Sequence, residues 1–249
     1  GIQINSGSNG NTIAGNYIGK LTTGGTTGTT GNAAAGINVF GSNNTIGGVL
    51  AADRNVISGN TSDGVTINGG TGNQVIGNYI GTDASGNTAN GNLQTGVFLF
   101  NGATGNSVLS NVIAANTDDG IAVYGETSDG NTIRGNWIGL GANGTTVLGM
   151  GTDGIYIDGG SDNNLIGGSN PGEGNTVVGA DWAIWINGLS SGNVVRGNYV
   201  GTDSSLTVAG ANNDGIVLDG GAFDNMVGGT STNDRNYVTN SGSYGIDLK

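Results

Sequence analysis

The stretch Gly64-Val65-Thr66-Ile67-Asn68-Gly69-Gly70-Thr71-Gly72-Asn73-Gln74-Val75-Ile76-Gly77-Asn78-Tyr79-Ile80-Gly81 decides the fold. It holds three short apolar runs, Gly64 to Ile67, Asn73 to Val75 and Asn78 to Ile80, parted by Gly, Asn and Thr. Short β-branched runs bounded by turn residues read as strands, and no window carries the 3.6-residue apolar period of a helix. Three strands are expected, and helix is not needed anywhere.

The same unit recurs along the chain. GNYIG begins at Gly15 and Gly77, GNWIG at Gly135 and GNYVG at Gly197, a period of roughly 60 residues. Between them GGVLAADRNVISGN (Gly47 to Asn60) and GGTSTNDRNYVTNSG (Gly228 to Gly242) mark a half-repeat of about 30 residues. First strands are expected to begin at Gly1, Gly36, Gly64, Gly96, Gly120, Gly154, Ala183, Gly215 and Gly245. These nine starts imply eight full coils and an opening ninth. At about 4.8 Å between stacked strands the coils make a rod of about 40 Å. One domain covering residues 1–249 is expected, as a segment of a longer repeat array.

Parity assigns the faces. Val65 and Ile67 have apolar counterparts in every coil, such as Ile121 and Val123 or Ile216 and Leu218, and point inward. Thr66 and its variable counterparts point out. The link Val75-Ile76-Gly77-Asn78-Tyr79 needs a residue that tolerates the left-handed region, a role assigned here to Asn. Asn16, Asn78, Asn111, Asn136 and Asn198 then form one ladder of stacked amides.

Composition agrees with this architecture and removes several function classes. The 249 residues include 54 Gly and 36 Asn but only one Pro and no Cys or His. Collagen is excluded because Gly has no three-residue period. With 18 acids against 6 bases and a net charge of −12, a nucleic-acid partner is excluded, since phosphate binding needs clustered Lys and Arg. No apolar run approaches the ~20 residues of a membrane span, so membrane insertion is not expected. The absence of Cys and His removes thiol nucleophiles, thiolate metal sites and the commonest general base.

The G-[IV]-x-[IV] strand, the N-x-[IV] pairs and the tight turn between strands two and three resemble the right-handed parallel β-helix repeat proteins, the pectate-lyase-like superfold. The resemblance covers essentially the whole chain. Tandem GNYIGTD and RNVISGN units are also similar to repeats of large secreted bacterial surface proteins. The resemblance implies an all-β solenoid of about eight to nine three-stranded coils. In the enzymes of the superfold it implies a polysaccharide groove along the first strands, flanked by the loops that follow strand three. The corresponding long segments are Lys20 to Ala35, Thr82 to Thr95, Leu140 to Asp153 and Thr202 to Asp214.

The chemistry for such a groove is sparse. Uronate β-elimination needs a cation and a base. Yet the only lysines are Lys20 and Lys249, and Arg54, Arg134, Arg196 and Arg235 occupy repeat positions. Asn116-Thr117-Asp118-Asp119-Gly120 resembles the acidic motifs of polygalacturonases, but Asn60-Thr61-Ser62-Asp63-Gly64 fills the same place in another coil. The His and Arg-x-Lys of that family are missing. Asp158 and Asp219 point outward two coils apart, about 10 Å, with Asn187 in the same column. Asp118, Asp119, Asp158 and Asp219 are therefore the acids on which a lyase or hydrolase alternative rests. Asp63, Asp119, Asp153 and Asp214 form a column in which adjacent Asp119 and Asp153 are the metal candidates, with Ca²⁺ as the ion. An ice-binding face would need a regular Thr array, which the outward columns lack.

What breaks the repeat is aromatic. Phe98, Phe100, Tyr124, Tyr156 and Trp185 fall on one face of coils four to seven. Flat rings beside Asn, Thr and Asp suit a sugar ring; a competing reading folds the long loops over them as a small satellite core. The third-strand set Tyr17, Tyr79, Trp137, Tyr199 and Tyr237 follows the repeat, so loops are expected to pack on it. Taken together, the sequence points to a non-catalytic extracellular or cell-surface bacterial stalk or adhesin. Its expected partners are a polysaccharide or cell-surface glycan, adjacent repeats of the same parent chain, and, through open end strands, a second copy. No cofactor beyond that Ca²⁺ is expected.

Overall fold

A computed structural model describes residues 1–20, 31–208 and 210–249. The strands form three wholly parallel sheets of nine, eight and eight strands, each strand hydrogen-bonded to its counterpart in the next coil. The first sheet runs in chain order from Ile2–Ile4 through Val65–Asn68, Val97–Phe100, Ile121–Tyr124 and Ile155–Asp158 to Ile246–Leu248. All nine expected starts are met. Parallel neighbours joined by crossovers that pass through two other sheets wind right-handed, which makes the molecule a right-handed parallel β-helix. Among the described residues no helix is long and apolar enough to cross a membrane.

The register explains why the sequence repeats. Val65, Val97, Ile121, Ile155, Ile184 and Ile216 stack in one inward column and Ile67, Leu99, Val123, Ile157 and Ile186 in the next, all without solvent exposure. Each such side chain contributes about 1.5–3 kcal/mol by burial. Of the outward positions, Thr66, Ala122 and Val217 are also buried. The Thr66 hydroxyl donates to Asp63.

Asn supplies the corners. One ladder starts at Asn16, and Asn55, Asn78, Asn111, Asn136, Asn175, Asn198 and Asn236 each accept at Oδ1 from the backbone N–H and Nδ2 of the ladder Asn one coil earlier. It contains the five expected members and three that the GN[YW] motif does not reveal. A second ladder runs from Asn11 through Asn44, Asn73, Asn106, Asn131, Asn164 and Asn193 to Asn225 at the corner before the second strand. A third, four residues ahead of the first-strand glycines, links Asn32, Asn60, Asn92 and Asn116. It is interrupted where Met150, packed against the core, and then Ala180 take the next positions, and Asn212 returns to the column by accepting the Ala180 N–H at 2.9 Å.

Two local expectations change. The left-handed residue of the link is Gly77 (φ 69°), not Asn78; glycine adopts that conformation without a Cβ clash, which leaves the Asn amide free for the ladder. Helix is not wholly absent either. Ala51–Asp53 and Thr232–Asp234 form single 3₁₀ turns, each closed by the carboxylate of its own Asp53 or Asp234.

Candidate functional site

The outward column of the first sheet reads Phe98, Ala122, Tyr156, Trp185 in direct register. Ala122 between two rings leaves a slot two strand spacings wide, about 9.6 Å. Its volume is about 330 Å³, with Phe98, Tyr124 and Tyr156 as apolar lining and Asp63, Asp118 and Asp119 along one wall. Strand geometry fixes the walls: alternation aims these side chains outward, and the ladder holds the coils in register. Phe100 stacks on Phe98 at 4.7 Å with planes 5° apart, stiffening that wall. Tyr156 packs on Trp185 at 4.7 Å. The Tyr156 hydroxyl donates to the Asp158 carboxylate; burial, then that bond, push the phenol above its ordinary range.

The five expected aromatics are therefore brought together. Phe98, Phe100, Tyr156 and Trp185 are half-buried, and Tyr124 is 49 % exposed at the mouth. Trp182, which sequence reasoning passed over, joins them: its ring lies 4.2 Å from Trp185 and its indole N–H donates to Asp214 at 3.1 Å. The signal for it was present, since Trp182 breaks the column that Asp63, Asp119, Asp153 and Asp214 otherwise share.

Among the described residues the long loops do not roof this slot. The loop at Gly86 lies against Ala142 and the Tyr79 ring, and Gly144 lies beside Trp137, so both loops lean on the third sheet. Only Gln94 and Thr95, the end of one loop, border the slot. The segment Lys20 to Ala35 lies largely outside the described residues.

The expected acids separate into two groups. Asp118 and Asp119 line the slot. Asp158 and Asp219 do not join them; each accepts the backbone N–H of the glycine that follows it, as turn formers do. Within the acidic column each carboxylate accepts a backbone N–H one coil on. Asp63 takes Thr95 at 3.1 Å, Asp119 takes Asp153 at 3.2 Å, Asp153 takes Trp182 at 3.1 Å and Asp214 takes Tyr244 at 2.8 Å. Burial raises the pKa of Asp63 and Asp119. Burial, and then the neighbouring Asp119 charge, push Asp153 up to about 7. Among the described residues no group of three or more acidic side chains converges as a cation cage. Asp119 and Asp153 already spend an oxygen each on the backbone, so the pair falls short of the six to eight oxygens Ca²⁺ takes.

No protein-family model matches the chain, and no curated protein matches it in sequence. Among solved structures it is similar to the crystal structure of the Dettilon tailspike protein, with a TM-score of 0.52 and 17 % identity. That similarity covers 100 % of this chain and 56 % of the tailspike chain, so the present chain spans little more than half the length of that protein. At this identity the likeness carries the β-helix fold.

Proposed function

We propose that the protein is an extracellular or cell-surface β-helix that binds glycans, without cleaving them, in the slot between Phe98 and Tyr156. The observation that carries this reading is the register Phe98–Ala122–Tyr156, which sets two aromatic walls about two strand spacings apart over a methyl floor. Sugar rings present C–H faces to aromatic rings, and their hydroxyls donate to carboxylates. The slot offers both, and its acidic wall favours neutral or amino sugars over anionic ones. The tailspike likeness is consistent with a surface-exposed rod.

Binding is favoured over hydrolysis by what the acids do. Asp119, one of the three slot acids, accepts from the Thr152 hydroxyl and the Asp153 N–H, a fixed structural duty. Asp158 and Asp219 lie outside the slot lining. The test is a glycan array. Ala122→Phe fills the slot without touching a backbone hydrogen bond, and Trp185→Ala removes the support of Tyr156. Retention of the native chain that drops about tenfold in both variants supports the reading; unchanged retention overturns it. Product release from pectin, alginate or neutral glycans that disappears in Asp119→Asn would replace it with the hydrolytic alternative.

A further inference from the structure

Six Asn-Gly pairs begin at Asn9, Asn68, Asn90, Asn101, Asn143 and Asn187. In such a pair the main-chain nitrogen of the glycine can attack the Asn side chain, because no Cβ hinders its approach. The fold occupies that nitrogen in four of the six. Gly10 N–H donates to the Ser42 carbonyl at 3.2 Å, Gly69 N–H to Phe100 at 3.0 Å, Gly102 N–H to the Ser128 hydroxyl at 3.3 Å and Gly144 N–H to Gly141 at 2.9 Å. In the fifth pair the side chain is tied down instead, Asn90 Nδ2 donating to the Lys20 carbonyl at 2.6 Å. Among the described residues Asn187 alone combines a side chain bonded to no main-chain group with a following glycine N–H that nothing outside the pair accepts.

Asn187 turns the corner after the strand Trp182–Ile186. It stacks between Asp158 and Asp219, since its own N–H donates to the Ile157 carbonyl and the Asp219 N–H to the Ile186 carbonyl. Both acids fold back on themselves, each carboxylate accepting the N–H of the glycine that follows it at 2.6 Å. Asn187 shares this fold-back. A Cβ on Gly188 would collide with Asp158 Oδ1 and lie 2.8 Å from the Gly159 nitrogen; a Cβ on Gly220 would collide with Asn187 Oδ1 and lie 2.9 Å from the Gly188 nitrogen. The corner thus sets the side-chain carbonyl of Asn187 against the nitrogen that attacks it. Orientation of this kind lowers the entropic barrier to an intramolecular reaction.

We propose that Asn187 is a self-modification site, where the Gly188 nitrogen closes on the Asn187 side chain and converts it to aspartate and isoaspartate. The nitrogen gives its proton to hydroxide and bonds to Cγ. The Cγ–Nδ2 bond breaks, and ammonia leaves with a proton taken from water, which restores the hydroxide and leaves a five-membered succinimide. Water then adds to one imide carbonyl and breaks its bond to nitrogen. Opening at Cγ gives aspartate; opening at the main-chain carbonyl gives isoaspartate, whose main chain runs through the former side chain. Either product places a third carboxylate between Asp158 and Asp219, about 4.8 Å from each. Asp158 and Asp219 themselves cyclise more slowly, because an ionised carboxylate resists a nucleophile. This chemistry is independent of glycan binding.

Ageing the whole folded chain in mildly alkaline heavy-oxygen water, followed by digestion and mass spectrometry of each Asn-Gly peptide, tests the assignment. Heavy oxygen should enter at residue 187 about tenfold faster than at any of the other five pairs, and an isoaspartyl methyltransferase should methylate the product. In urea, where the corner is lost, the six rates should converge. Asn187→Gln should abolish the early product, because the longer side chain closes a less favourable ring. Labelling at Asn187 no faster than at Asn68 or Asn143 in the folded chain overturns the proposal. So does a lead for Asn187 that persists in urea, which would assign the reactivity to the local sequence instead of the corner.

Discussion

The Asn ladder at the second corner and the Asp column ahead of the first strands solve the same problem with different side chains. In both, a side-chain oxygen accepts a backbone N–H from the adjacent coil. An amide can also donate, so each Asn passes the bond along and eight members run without a break. A carboxylate only accepts, so the acidic column does not propagate. It admits Thr95 and Trp182 as interruptions, both close to the aromatic slot. The neutral ladder holds the rod together, and the acidic column is where composition was free to vary. The proposed slot borders that column.

The comparison is broken most severely at the ladder. Asn111→Ala removes the acceptor for the Asn78 N–H and Nδ2 and the donor to Asn136 and to the Val75 carbonyl. A loss of about 3–5 kcal/mol is expected, because buried partners are left unsatisfied; urea denaturation measures it. Next comes the acidic column. Asp153 is 5 % exposed, and its carboxyl titrates near 7 in the fold against 3.8 unfolded. The folded chain therefore holds a proton that the unfolded chain releases. The associated stability is fully present below about pH 4 and is lost as pH rises through about 7, a change of up to about 4 kcal/mol. Asp153→Asn keeps the oxygen that accepts Trp182 N–H and should flatten the melting temperature between pH 4 and 8, whereas Asn111→Asp should create such a dependence in the ladder. Trp182→Phe, which removes only the indole donor to Asp214, is expected to cost about 1 kcal/mol. Asp219→Asn, which preserves a turn acceptor, should change stability by less than about 0.5 kcal/mol.

The coil plan was readable because nine near-copies vote on every position. Val65, Leu99 and Ile184 face inward by parity alone, and a period-two pattern admits one register. Reading failed where two residue types could do one job. Asn78 and Gly77 both tolerate the left-handed region, and the choice fell to glycine because the amide was needed elsewhere. Asn55, Asn175 and Asn236 were missed because their coils replace the GN[YW] flank with RN or GN[T]. The aromatic cluster was legible as an exception to the repeat. Its depth and its freedom from the loops were not, since a connection between strands carries no sequence mark of the side on which it lies. Trp182 was hidden for a simpler reason: it belongs to the column of acids, which invites attention to charge instead of shape.

The interruption at Met150 has a mechanical consequence. A solenoid's coils touch only their neighbours, so tension applied at the two ends acts on a series of interfaces, each with its own strength. Coils one to four are joined by three amide ladders, whereas after Asn116 the third gives way to Met150, which packs against the core, and then to Ala180, with an Asn returning only at Asn212. The rod is thus a composite of a stiffer and a softer length. Pulled from its termini in an optical trap, the coils that carry Met150 and Ala180 should part at the lower force, and Met150→Asn should raise that force toward the value of coils one to four.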